Sequence, residues 1–250
     1  MTGPRSAFLT AEWCHVVMLN FDVDPAILQP FVPSGTELDA WRGRTFVSLV
    51  GFLFLDTRVF GIGIPFHRDF EEVNLRFYVR RKASDGWRRA VVFIKELVPR
   101  MAIALTARLF YGENYVAVPM SHTIDLANGT PEARRVSYRW RLAGQENVLS
   151  LVARGQAREL EEGSAEEFIT AHYWGYARRR DSSTTEYQVE HPRWRVWAAH
   201  EARFEGDAAR LYGPRFAECL KTPPSSAFLA DGSRVTVYRG TRLTTPGTGS

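Results

Sequence analysis

Between residues 72 and 80 the chain alternates with period two. Val73, Leu75, Phe77 and Val79 fall on one face of an extended strand, and Glu72, Asn74, Arg76, Tyr78 and Arg80 on the other. A strand with one wholly apolar face must bury that face against another layer. The opposite face then carries Glu72, Asn74 and Arg76 in a row, with neighbours about 6.6 Å apart along the strand. The row has two readings: a mixed-charge strand facing solvent, or the lining of an enclosed cavity.

The rest of the chain extends this pattern. Trp13 to Phe21, Ala90 to Leu97, Tyr115 to Met120, Arg134 to Leu142, Val148 to Glu159 and Glu186 to Glu190 read as strands. Thr45 to Leu55 is apolar on both faces, as in a strand held between layers. Ser226 to Leu229 and Arg234 to Tyr238 read as a hairpin about Asp231-Gly232, and Asn128-Gly129 marks another turn. Three or four helices interrupt the strands. One is short, capped by Asp24 with Pro25 in its first turn, and another runs from Pro99 to Tyr111 before Gly112. A third spans Ser164 to Arg178, where Ser164 and Glu167 have capping-box spacing, and a fourth covers Asp207 to Leu220 with a break at Gly213-Pro214. Strands in succession without strand–helix alternation predict a mainly β (α+β) fold, a single antiparallel, barrel-like sheet with helices packed outside. No linker divides the 250 residues, so residues 1–243 form one domain and 244–250 a disordered tail.

Composition narrows the function. The longest apolar run, Val47 to Leu55, is strand-length, far short of a membrane span, and Met1 to Thr10 lacks the apolar core of a signal peptide. Cys14 and Cys219 are far apart without metal-type spacing, and read as reduced thiols in a reducing, cytoplasmic compartment. The net charge is +4, but the arginines are scattered among acids, and no basic stripe or module supports nucleic-acid binding. No HExxH, P-loop, G-x-S-x-G or dinucleotide fingerprint is present. No metal and no cofactor is therefore expected. Roles for His172 and His191 stay open, as does self-association into a homo-oligomer.

Phe70-Glu71-Glu72-Val73-Asn74-Leu75-Arg76-Phe77-Tyr78-Val79 resembles the E-x-N-x-R-x-Y-V signature of the bacterial YqjF-like family, the domain of unknown function 2071. Trp13 with Val23-Asp24-Pro25, Ala107-Arg108 with Gly112 and Tyr115, His191-Pro192-Arg193-Trp194, and Ser226 to Gly240 extend the resemblance along nearly the whole chain. That family in turn resembles the acetoacetate decarboxylase superfamily, which implies a cone-shaped antiparallel barrel with an internal pocket. The superfamily's aromatic-x-Glu strand matches Phe70-x-Glu72, which implies that Glu72 faces the pocket. Its helix-end arginine matches Arg108, but seven residues on, where the superfamily carries two adjacent lysines, stand Tyr115 and Val116. The imine-forming lysine and the neighbour that depresses its pKa are both missing, so Schiff-base decarboxylation is not expected.

The candidate site then comprises Glu72 and Tyr115 as catalytic groups and Asn74, Arg76 and Arg108 as substrate-binding groups. Arg76 would anchor an anion while Glu72, ionised and held by an arginine, moves a proton. Arg108 has two readings, an ion pair with Glu72 or a ligand contact, and Tyr115 two, a weak acid or a packing residue. Lys95 is the one lysine near this strand, and snorkelling at a strand edge is its favoured reading. Two functions fit the residues. One is a cofactor-free acid/base enzyme of lyase, hydratase or cyclase type acting on a small carbonyl or carboxylate compound. The alternative is a non-catalytic binding protein for an apolar or acidic metabolite.

Overall fold

A computed structural model describes residues 6–101, 114–126 and 133–243. In chain order the strands are β1 (Ala7–Asp22), β2 (Glu37–Leu38), β3 (Phe46–Val59), β4 (Phe70–Ala83), β5 (Gly86–Val98), β6 (Tyr115–Ala117), β7 (Met120–Asp125), β8 (Arg134–Leu142), β9 (Gln145–Ala153), β10 (Trp174–Arg178), β11 (Thr184–Glu190), β12 (Val196–Glu205), β13 (Ser226–Tyr238) and β14 (Thr241–Arg242). The helices are α1 (Pro25–Leu28), α2 (Ala165–Thr170), α3 (Ala208–Tyr212) and α4 (Pro214–Lys221). Most of the helix expected over 99–111, Arg108 with it, lies outside the described residues, as do the Asn128-Gly129 turn and the 244–250 tail.

Seven strands run in the order β11-β10-β5-β4-β3-β1-β13, and β11 also pairs with β13, which closes them into a barrel-like ring. The closure is uneven. β4 and β5 are zipped from Val73↔Leu97 to Ala83↔Gly86. By contrast β10 meets β5 only at Trp174↔Ala90 and Gly175↔Val91, and β11 meets β13 only at Val189↔Val237 and Glu190↔Thr236. The β10–β5 and β5–β6 pairings are parallel, so the sheet is mixed rather than wholly antiparallel. One further tie holds the β10–β11 hairpin to the zipped side. Glu186 of β11, buried, is ion-paired with Arg81 of β4 at 3.2 Å and with Arg88 of β5, and it accepts a hydrogen bond from Tyr176 at 2.6 Å.

The ring has two apolar faces, which explains why β3 is apolar throughout. Its Val47, Leu49 and Leu53 join Val73, Leu75, Phe77 and Val79 of β4 on the outside. There they meet Leu211, Phe216 and Leu220 of α3 and α4, and Tyr138, Trp140, Leu149 and Leu151 of the β8–β9 layer. Phe46, Val50, Phe52 and Phe54 point inward with Phe70, Phe168 and Trp194. Each fully buried side chain of this size contributes about 1.5–3 kcal/mol relative to exposure, so both faces stabilise the ring.

Four elements differ from the sequence expectation. The single strand expected over Tyr115 to Met120 is two, β6 and β7, broken at Val118-Pro119 where proline has no N–H to donate to a sheet. The helix begun at Ser164 ends at Thr170, and residues 174–178 are strand β10 instead. Ser164 does cap it, accepting from Glu167 N at 3.1 Å. Beyond Thr170, however, Trp174 and Tyr176 favour a strand and Gly175 weakens a helix. The expected hairpin at Asp231-Gly232 is one continuous strand, β13, because both halves pair with β1. Gly232 serves a bend, not a turn: its φ is +79°, and a Cβ there would run into the Trp13 carbonyl oxygen. The bend lets β13 take β12 as neighbour at Phe228–Ala230 and β11 at Thr236–Val237. β12 itself escaped the sequence reading, because its run of Ala, Glu, His and Arg has little strand character.

Candidate functional site

The inner face of β4 presents Glu72, Asn74 and Arg76 to a cavity of about 200 Å³ inside the ring. Phe52, Phe54 and Phe70 form part of its apolar wall, with Trp13 and Trp194. Across from Asn74 on β5 stands Glu96, and parallel to it on β6 stands Tyr115. A register shift between Leu75 and Arg76 makes room for one extra β5 residue, Ile94. This bulge re-aims the strand, so that Phe93 and Glu96 both line the cavity while Ile94 packs in the outer core.

Glu72 and Tyr115 are thereby brought into contact. Tyr115 Oη donates to Glu72 Oε2 at 3.1 Å, and Asn74 Nδ2 donates to Glu72 Oε1 at 2.9 Å. Burial pushes the Glu72 carboxyl up to about 7, against the pull of these two hydrogen bonds and of the Arg76 charge. This corrects the expectation of a carboxylate ionised and held by an arginine: its described partners are an amide and a phenol, and desolvation outweighs both. The Tyr115 hydroxyl is driven well above its ordinary range by burial first, then by the charges of Glu72 and Glu96. It is therefore a protonated donor at every physiological pH.

Arg76, 9% exposed, has no ion-pair partner among the described residues, and its Nε has no hydrogen-bond partner there. Its guanidinium carbon lies 5.9 Å from the centre of the Tyr78 ring. Tyr78 is itself fixed, its hydroxyl 2.6 Å from Ser48 Oγ, which donates to Asn20 Oδ1 at 2.6 Å. Arg108, the second expected anchor, lies outside the described residues.

Three histidines also line the cavity, His67, His172 and His191. His172, buried just beyond α2, packs against Tyr78 with ring centres 4.6 Å apart. Its Nε2 lies 3.5 Å from Asp39 Oδ2, and Arg89 Nε donates to the same oxygen at 2.7 Å. Burial lowers the imidazole to about 4, outweighing the Asp39 carboxylate, so the ring is neutral. Asp39 is buried too, which alone would raise it, but His172 and Arg89 hold it below its usual range. His191 stacks on Trp194 at 4.4 Å, and burial lowers its pKa as well. Sequence spacing showed neither the His172–Asp39 pairing, across 133 positions, nor the placement of Glu96, whose parity depends on the β5 bulge.

Lys95 faces away. It pairs with Leu75 on the outer face and donates through Nζ to the Leu211 carbonyl near the end of α3. The bulge sets it on the face opposite Phe93, two residues before it, which lines the cavity. Burial lowers its pKa, but it does not line the cavity. Among the described residues no group of three His, Cys, Asp or Glu side chains is placed to hold a metal, and no helix is long and apolar enough to cross a membrane. Cys14 and Cys219 are free.

Residues 10–234 match the profile of DUF2071, an uncharacterized conserved protein family. The chain is similar to the uncharacterized protein YqjF of Bacillus subtilis (strain 168), 34% identical over 109 residues, which is 43% of each chain. The alignment thus spans under half of that relative. In fold it is similar to acetoacetate decarboxylase from Legionella pneumophila, with a TM-score of 0.65 at 13% identity, covering 98% of this chain and 92% of that one. It is also similar to the enduracididine biosynthesis enzyme MppR complexed with pyruvate, with a TM-score of 0.64 at 12% identity, covering 98% and 92%.

Proposed function

The chain belongs to the DUF2071 family, and from that premise we propose that its cavity carries out a cofactor-free acid/base reaction on a small carbonyl or carboxylate compound. The observation that carries this reading is Glu72: a fully enclosed carboxyl with its proton equilibrium near neutrality, hydrogen-bonded to a tyrosine that stays protonated. A general base works best when its pKa lies near the working pH. Arg76, without a counter-ion among the described residues, anchors the ligand carboxylate by a charge-assisted hydrogen bond. Glu72 takes a proton from the carbon beside the carbonyl; once protonated, Glu72 no longer draws the Tyr115 hydrogen, and Tyr115 turns its single O–H to the oxygen on which negative charge develops. Asn74 holds the second Glu72 oxygen in place.

The experiment is solvent exchange. Pyruvate, the ligand of the MppR complex, and 4-oxopentanoate both combine a carboxylate, a carbonyl and an acidic C–H. Incubated with the protein in D2O and followed by proton NMR, at least one should lose its α-proton signal faster than in buffer. The rate should rise through pH 7, and Glu72→Gln should abolish it. Full exchange activity in Glu72→Gln would remove Glu72 from the mechanism. The aromatic wall around Trp13 and Trp194 favours one second reading, a binding protein for an apolar acid. Ligand-dependent quenching of tryptophan fluorescence without any catalysed exchange would select it.

A further inference from the structure

Arg76 and His172 stand against the same ring, that of Tyr78, and both line the cavity. Both are buried, and each keeps nitrogen without a hydrogen-bond partner among the described residues: Nε of Arg76, and both Nδ1 and Nε2 of His172, with Nε2 facing the Asp39 carboxylate at 3.5 Å. A buried polar atom without a partner costs free energy that a bound ligand would recover. The two side chains ask for different things. Arg76 is a cation and a donor. His172 is neutral, and its character depends on which nitrogen holds the proton.

Asp39 decides that. It is an ionised carboxylate, buried, held by Arg89, and it faces Nε2 at 3.5 Å. A carboxylate there favours the proton on Nε2, and Nδ1 is then left as a bare acceptor. The other neighbours do not compete: Phe168 and Tyr78 present ring faces and edges, and the Tyr78 hydroxyl is engaged by Ser48. Arg76 and Arg89 are cations that further disfavour a second proton on the ring.

We propose that Arg76 and His172 form a subsite for a carboxylate bearing a hydroxyl on the adjacent carbon, the carboxylate bound by Arg76 and the hydroxyl donating to His172 Nδ1. This rests on the carboxylate-anchoring role of Arg76 proposed above and names the ligand class that goes with it. An amine in place of the hydroxyl would bring a second cation beside Arg76 and is disfavoured. A 2-oxo group offers an acceptor to an acceptor and is disfavoured as well. With the hydroxyl at C2, a reacting carbonyl stands farther along the chain, toward Tyr115. A 2-hydroxy-4-oxo acid then places its acidic C3 protons between the subsite and Glu72.

The test uses three acids of one skeleton on the wild-type protein: mandelate, phenylacetate and phenylglyoxylate, with binding measured by calorimetry. Mandelate, in one enantiomer, should bind about fivefold to tenfold tighter than either of the others, the usual worth of one hydrogen bond. His172→Phe should erase that difference while leaving phenylacetate affinity in place. Nitrogen-15 NMR of the histidines covers the case in which this variant does not fold. His172 should show the Nε2–H tautomer, with its Nδ1 signal moving on addition of mandelate and not of phenylacetate. Equal binding of all three acids, or an Nδ1–H tautomer, overturns this inference alone. Binding of none of them overturns the carboxylate-anchoring reading of Arg76 and this inference with it.

Discussion

Replacing Glu72 by glutamine keeps the shape of the side chain and removes its ability to ionise, and the structure sets the size of the effect. A glutamate that titrates at 4.5 when free titrates at about 7 in the folded protein. Below pH 4.5 it is protonated in both states and contributes nothing to pH dependence. As pH rises from 4.5 to 7 the unfolded chain releases a proton that the folded protein retains, so the fold loses stability through that window. Above about 7 the loss is complete. Each pH unit of that window is worth about 1.4 kcal/mol, giving a total of about 3 kcal/mol. Residue 72 is 2% exposed, so solvent screening takes little from this figure. Glu72→Gln removes the burden, since its amide resembles the protonated acid at every pH. Urea unfolding of both proteins at pH 5 and pH 8.5 checks the reasoning. The variant should gain about 2–3 kcal/mol on wild type in going from the acid to the alkaline condition, because groups common to both cancel. Stability curves that stay parallel across that range would refute it, and would mean that Glu72 enters the fold already ionised.

Two other perturbations follow from the same geometry. Gly232→Ala should destabilise by more than about 2 kcal/mol in denaturant unfolding, since it adds a Cβ against the Trp13 carbonyl at a φ of +79°; a loss below 0.5 kcal/mol would show that β1 and β13 can separate freely there. Incubation with acetoacetate and borohydride should leave Lys95 unmodified by mass spectrometry, because its Nζ is bound to the Leu211 carbonyl on the outer face; a stoichiometric adduct on Lys95 would contradict that placement.

What the sequence made legible and what it hid divide along physical lines. The inner row of β4 was readable because period two is a property of one strand. The expected contact of Tyr115 with the Glu72 site likewise has a physical counterpart, the 3.1 Å hydrogen bond. Charge balance was not readable. Whether Glu72 is ionised depends on how much water the aromatic wall excludes, and that wall is assembled from β1, β3, β4 and the segment after β11. Glu96 was hidden by one extra residue in β5, which shifts the parity of everything beyond it. The pairing of β1 with both halves of β13 was hidden behind Asp231-Gly232, a dipeptide with the same local signature in a turn and in a bend. His172 fell in what read as helix, and it faces Asp39, which no local pattern connects to it.

The ring is fastened unevenly, and that has a mechanical consequence. The β10–β11 hairpin supplies Trp174, Tyr187 and Val189 to the cavity wall. Its open end is joined to β5 and to β13 by two residue pairs each, while its middle is clasped by Glu186 to Arg81 and Arg88 and by β14 at Thr185 and Glu186. A stave held firmly at its middle and by thin seams at one end gives at that end first. Local opening of that kind breaks few hydrogen bonds and costs far less than unfolding the whole domain. The wall that encloses the cavity is thus also the part of the ring with the thinnest seams, and the buried ion pairs are its firm point.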